Sequence, residues 1–156
     1  MILIADSSAL IALAVVDKLD ILETLFGEVY VPRAVYDEVS HQSKGESEKL
    51  ALYCKDKVLD ITSKVNLNIT LGSGESEAII LYKEKCADFL LCDDKKAKKF
   101  ARNFGVKVVG SLGVLLKAKE EKLIVEINPL IEKLKLSQIF IDDKTFELIL
   151  KMAGEV

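Results

Sequence analysis

A chain of 156 residues is the size of one ordinary domain and can bury a core without disulfides or a structural metal. Half of it is hydrophobic and 30% is charged, which excludes a disordered polymer. A net charge of −3, from 22 basic and 25 acidic residues, excludes nucleic-acid binding by overall charge but leaves a local basic face open.

The N-terminal run MILIADSSALIALAVV is apolar, but it has no basic leader and Asp6 interrupts it. It therefore reads as a strand followed by a helix, not as a signal or membrane segment. Strands are expected at Ile2–Ala5, Glu28–Val31, Val58–Ile61, Phe89–Cys92 and Lys107–Val109. Helices are expected at Ser7–Val15, Lys18–Phe26, Pro32–Ser40, Glu46–Cys54, Gly74–Cys86, Lys95–Asn103, Leu112–Glu120, Pro129–Leu136 and Lys144–Met152. Pro32 suits a first helical turn and Gly105 a helix stop. Strands alternating with helices predict an α/β fold, a three-layer α/β/α sandwich with a mostly parallel central sheet. No repeat or Pro/Gly/Ser-rich linker divides it, so residues 1–156 read as one domain. Cys54, Cys86 and Cys92 form no CxxC pair, and mostly buried free thiols in a reducing, cytoplasmic compartment are expected. The single histidine, His41, excludes sites built on two histidines, and no Gly-rich phosphate loop is present.

Any catalysis must then rest on carboxylates, hydroxyls and lysines. Asp6 follows the first strand, and Asp93 and Asp94 follow Phe89-Leu90-Leu91-Cys92, so all three stand at carboxyl ends of strands. In open α/β sheets that edge carries the ligand crevice. At about 100° per residue, Glu75 lines up with Ala78, Ile79, Tyr82 and Cys86 on the apolar stripe of its helix. Glu77 projects nearly opposite, toward solvent. Glu38 borders the stripe of Ala34, Val35 and Val39, whereas Asp37 points away. Carboxylates converging on one point repel each other and lose hydration, which raises their pKa values. A hard divalent ion, Mg²⁺ or Mn²⁺, relieves both and can activate water against a phosphodiester. Each acid also has a plainer role: Asp6 and the Asp93-Asp94 pair as helix caps, and Glu75 as a first-turn acid favoured by the helix dipole.

The segment Lys95-Lys96-Ala97-Lys98-Lys99-Phe100-Ala101-Arg102 is amphipathic, with Ala97, Phe100, Ala101 and Phe104 on its apolar side. Lys95, Lys98 and Arg102 share one flank that either holds a phosphate backbone or is a solvated surface. Tyr30, Tyr36 and Tyr82 suit core or interface packing better than base stacking.

Taken in order, IADSSALIAL, VPRAVYDEV, LGSGESEAIIL, LLCDDKKAKKFA and VVGSLGVLLKAK resemble a PIN domain, and more narrowly the VapC-toxin-like subgroup of small archaeal and bacterial PIN proteins. The likeness runs from Ile2 to about Lys119. It implies a parallel sheet between helices and RNA cleavage with Mg²⁺ or Mn²⁺. Carried over by position, it implies Asp6, Glu38, Glu75 and Asp93 as catalytic metal ligands, with Asp94 able to substitute for Asp93. Ser7, Ser8 and Ser111 become supporting hydroxyls, and Glu77 a weaker candidate for the role of Glu75. The resemblance further implies a homodimer and a small antitoxin partner. The segments Leu19–Phe26 and Leu50–Tyr53 could supply an interface, although core packing explains them equally. Against the toxin reading stand an RNA-processing nuclease without antitoxin and a non-catalytic α/β interaction module.

Overall fold

The computed structural model describes residues 1–41, 45–64, 71–137, 139 and 141–156. Among them, five strands form one parallel sheet: β1 (Ile2–Ala5), β2 (Glu28–Pro32), β3 (Val58–Leu59), β4 (Phe89–Leu91) and β5 (Val108–Val109). The helices among the described residues are α1 (Ser7–Val15), α2 (Ile21–Phe26), α3 (Arg33–Ser40), α4 (Ser47–Cys54), α5 (Ser73–Glu84), α6 (Lys95–Asn103), α7 (Ser111–Glu120), α8 (Asn128–Leu136) and α9 (Asp143–Met152).

The strand order is β3-β2-β1-β4-β5. The chain starts at the centre, steps outward to β3, then crosses back to place β4 against the free side of β1. The strand order therefore reverses between β1 and β4, where such sheets open a crevice at their carboxyl edge. The register pairs Ile4 with Leu90 and Ala5 with Leu91, and Leu91 with Val109. One further rung on each side, Asp6 N to Leu91 O at 2.8 Å and Cys92 N to Val109 O at 3.0 Å, carries the ladder up to the edge.

Side chains alternate across the sheet, as the pleat requires. Leu3, Ala5, Val29, Val31 and Leu91 join a core with residues of α1, α2, α7 and α8. Ile4, Leu90 and Cys92 face the other way, onto Ala78, Leu81 and Tyr82 of α5 and Ala97 and Ala101 of α6. A parallel sheet covered on both faces is the three-layer arrangement expected. The segments Leu19–Phe26 and Leu50–Tyr53 serve mainly this core: Leu19, Ile21, Leu22, Phe26 and Leu50 are buried, and Leu52 is exposed.

Several boundaries depart from expectation for local reasons. α2 starts at Ile21, not Lys18, because Asp17 turns left-handed (φ 54°) and Lys18 N bonds back to Leu13 O. Pro32 ends β2 in extended backbone as the N-cap of α3 and does not enter its first turn. β3 stops after Leu59 within the expected Val58–Ile61, and just beyond it the amides of Thr62 and Ser63 donate to the Glu84 carboxylate instead of to a strand. Phe104, expected on the apolar side of α6, is about half exposed and stacks on Phe100 with ring centres 4.9 Å apart. Cys86 is exposed, whereas Cys54 and Cys92 are buried thiols as expected.

The C-terminal end is held by Glu155, which accepts from Ile127 N (2.8 Å), Asn128 N (2.9 Å) and Lys119 Nζ (2.9 Å). Glu155→Ala leaves two amides at the start of α8 and one ammonium without that partner. The expected loss is about 2 kcal/mol in urea unfolding, with faster hydrogen exchange at Ile127 and Asn128. Unchanged exchange at both amides would rule the anchor out.

Candidate active site

Asp6 occupies the N-cap position of α1, yet its side chain makes no cap hydrogen bond. It is 2% exposed. Its Oδ2 receives the Cys92 thiol at 3.5 Å, and its Oδ1 has no hydrogen-bond partner among the described residues. Burial pushes the carboxyl up to about 7; the nearby Glu75 and Glu38 carboxylates push the same way, while the Ser7 backbone amide and the Cys92 thiol oppose the rise. An unpaired, nearly fully desolvated carboxylate is costly to the fold, so capping does not account for it.

Glu38 and Glu75 reach Asp6 from two packed helices. A methyl group built on Gly74 would meet Glu38 Oε2 at 3.0 Å, Val35 Cγ2 at 3.3 Å and Asp6 Oδ1 at 3.8 Å. Those two oxygens therefore face one small space that the absent side chain of Gly74 leaves open. Glu75 is half-buried, and its carboxylate folds back over Gly72 at the N-cap of α5. It is the first-turn acid expected at the helix dipole, and its charge acts on the Asp6 carboxyl.

Two phase-based expectations need correction. Glu38 does not point into the core; it is exposed overall, with only its tip turned toward Asp6. Glu77 is not a solvated acid, because it accepts from Ala34 N at 3.1 Å and fastens the start of α3 to α5. α3 packs along that flank of α5, so its polar side is an interface between helices.

The aspartate pair after β4 divides its work. Asp94 caps α6 by accepting from Ala97 N at 2.8 Å. Asp93 is clamped by Ser111, whose amide meets Oδ1 at 2.7 Å and whose hydroxyl meets Oδ2 at 2.6 Å. Its own amide donates to Ser8 Oγ at 3.1 Å. Ser111 is fully buried and Ser7 nearly so, and Gly110 admits this contact because a methyl there would lie 2.9 Å from Asp93 Oδ1. The hydroxyls of Ser8 and Ser111 thus bind Asp93, at the same edge as Asp6.

Beside this edge, α6 carries Lys95, Lys96, Lys98, Lys99 and Arg102 and no acid. Lys95 pairs with Asp142 at 3.4 Å. Among the described residues the other four have no ion pair.

The sequence matches the family described as DUF3368, PIN domain, over residues 2–155. The chain belongs to the PIN-domain family. No functionally curated protein matches it. PIN domains are generally nucleases and typically bind divalent metals.

The site fits such an ion in one specific respect: this PIN domain buries a carboxylate oxygen with no donor to satisfy it, next to two further acids. Among the described residues no three of His, Cys, Asp and Glu gather closely enough to enclose a metal. Carboxylate oxygens are hard donors, the type that Mg²⁺ and Mn²⁺ take. No helix among the described residues is long and apolar enough to cross a membrane.

The raised Asp6 has a sign that can be measured without metal. Its folded value, about 7, lies above the ordinary 3.8, so between these pH values the folded state holds a proton that the unfolded state has lost. Stability then falls as pH rises through this window, by on the order of 4 kcal/mol in total. In EDTA, Asp6→Asn removes most of that fall: it matches wild type near pH 4 and exceeds it at pH 8 in urea midpoint. Parallel pH profiles for the two proteins would contradict the burial of an ionisable Asp6.

Proposed function

We propose that this PIN domain is an Mg²⁺- or Mn²⁺-dependent endoribonuclease whose site is centred on Asp6. The observation that carries this reading is the buried, unpartnered Oδ1 of Asp6 at the carboxyl edge of the sheet, flanked by Glu38 and Glu75. Asp6, Glu38 and Glu75 would hold the ion, directly or through water. When bound, it activates water and neutralises charge on the scissile phosphate.

The other residues have roles of their own. Glu77 fixes the start of α3 and thereby the reach of Glu38. Ser8 holds the Asp93 backbone and Ser111 its carboxyl, so that this side chain is not free to swing. Asp94 sets the start of α6 through its cap. Lys98 and Arg102, on the flank they share with Lys95, meet the phosphates of an RNA strand that leaves the site along α6. Lys95 joins them once it gives up Asp142. A toxin role, a small antitoxin partner and a homodimer extend this proposal, supported by the resemblance to VapC-like proteins.

The test is cleavage of a labelled RNA by purified protein in Mg²⁺, Mn²⁺ or EDTA, beside Asp6→Asn. Cleavage is expected with metal, to vanish in EDTA, and to fall at least about a hundredfold in the variant. In parallel, Mn²⁺ is expected to raise the melting temperature of wild type but not of Asp6→Asn, and more at pH 8 than at pH 6. A folded protein that binds no metal and cuts no RNA would leave the non-catalytic module standing.

Lys98→Gln with Arg102→Gln tests the cationic flank separately. KM is expected to rise with kcat nearly unchanged, and the slope of log K against log salt to become shallower by about 1 to 2. An unaltered salt slope would make this flank a solvated surface only.

A further inference from the structure

We infer that Cys92 is a positioning residue for Asp6: its S–H, donated to Oδ2, turns the carboxylate so that Oδ1 is the oxygen presented to the space over Gly74. This rests on the reading of Asp6 as a metal-holding acid and adds a residue that the acidic pattern alone does not include.

The geometry is specific. Cys92 Sγ lies 3.5 Å from Asp6 Oδ2, and the two residues are 1% and 2% exposed, so no bulk water competes for that oxygen. The other oxygen, Oδ1, lies 3.8 Å from the point where a Gly74 side chain would begin, and Glu38 Oε2 lies 3.0 Å from the same point. A half-turn of the carboxylate would exchange the two oxygens, but the thiol, the one side chain that donates to the group, lies on one side and breaks that symmetry.

The backbone holds the donor in place. Cys92 N bonds to Val109 O at 3.0 Å, one rung past β4, and Asp6 N bonds to Leu91 O at 2.8 Å, one rung past β1. Both side chains are thus launched from neighbouring, hydrogen-bonded strand ends, 86 residues apart in the chain. The Asp94 carbonyl, 3.8 Å from Sγ, is the other acceptor within reach of the one S–H, and Asp6 Oδ2 at 3.5 Å is the nearer of the two.

A thiol suits the task because it is a weak donor. A lysine or arginine here would neutralise Asp6 and compete with a cation for it, whereas a purely apolar side chain would remove the side-chain donor that tells Oδ2 from Oδ1. The S–H orients the group while leaving its charge available to the ion. Partners that orient a metal-holding side chain in this way typically contribute tenfold or more to metal affinity.

The experiment compares Mn²⁺ affinity by calorimetry, and the Mn²⁺-induced rise in melting temperature, for wild type, Cys92→Ser, Cys92→Ala and Asp6→Asn. Serine and alanine are both small, so a difference between them reports the donor and not the volume. Cys92→Ala is expected to weaken Mn²⁺ by on the order of tenfold and Cys92→Ser to restore most of the loss. In the infrared, the Cys92 S–H stretching band, isolated by subtracting Cys92→Ser, is expected to shift in Asp6→Asn, a readout that needs no metal.

Equal Mn²⁺ affinity in Cys92→Ala and wild type would overturn the inference while leaving Asp6 as the anchor. So would equal weakening by serine and alanine, which would assign the effect to packing. If wild type takes up no Mn²⁺ at all, the metal reading of the site fails and the inference with it.

Discussion

Asp6 is placed where the sheet leaves it no choice of surroundings. Its amide is spent on Leu91 across the β1–β4 seam, its side chain sits under the start of α5, and the helix it opens is buried on most of its length through Ala9, Leu10, Ala12, Leu13 and Ala14. The carboxylate cannot move out to water without pulling β1 or α1 from the core, and each large buried side chain there contributes about 2 kcal/mol against that. The fold therefore holds a group whose ionised form is disfavoured, and the apolar layers on both sides offset the strain. The other acids follow from it: α3 and α5 are pinned to each other by Glu77 and Ala34, so Glu38 and Glu75 meet Asp6 from fixed directions.

Much of this was legible in the sequence because it depends on period and position. The alternation of short apolar runs with helical patterns gave the sandwich, and the acids directly after strands marked the edge where β1 and β4 now stand side by side. What was not legible depends on which helix lies against which. Helical phase puts Glu77 away from the apolar stripe, and phase is right about direction; it carries no knowledge that α3 arrives on that flank and turns a polar surface into a contact. Glu38 shows the converse, since a residue bordering an apolar stripe can still have its stem in solvent and only its tip in the site. The choice between Asp93 and Asp94 was open for a similar reason. Their surroundings differ through contacts the sequence does not display: Ala97 N takes Asp94 as a cap, while Ser111 arrives from β5 and α7 to take Asp93. Cys92 carried no signal at all, because a cysteine after a buried strand is ordinary until its neighbour across the sheet is known.

The division of charge along the chain gives the edge its character. The protein is acidic overall, with a net charge of −3, yet the helix leaving the site carries five cations and no acid. Acidic side chains gather at the crevice and cationic ones on the adjoining flank, so the two kinds of group are separated along one edge.

The opposite edge of the sheet has a consequence for how this domain can be joined to other things. Ile2 N donates to the Asp88 carboxylate at 2.7 Å and Glu28 N to Met1 O at 3.0 Å, so the first residues are stitched to the starts of β2 and β4. A strand the length of β1 spans about 13 Å from that stitching to the crevice. Polypeptide attached ahead of Met1, whether a partner domain or an affinity handle, thus emerges on the far side of the sheet from Asp6, and tethering to a surface through that end would leave the crevice facing outward.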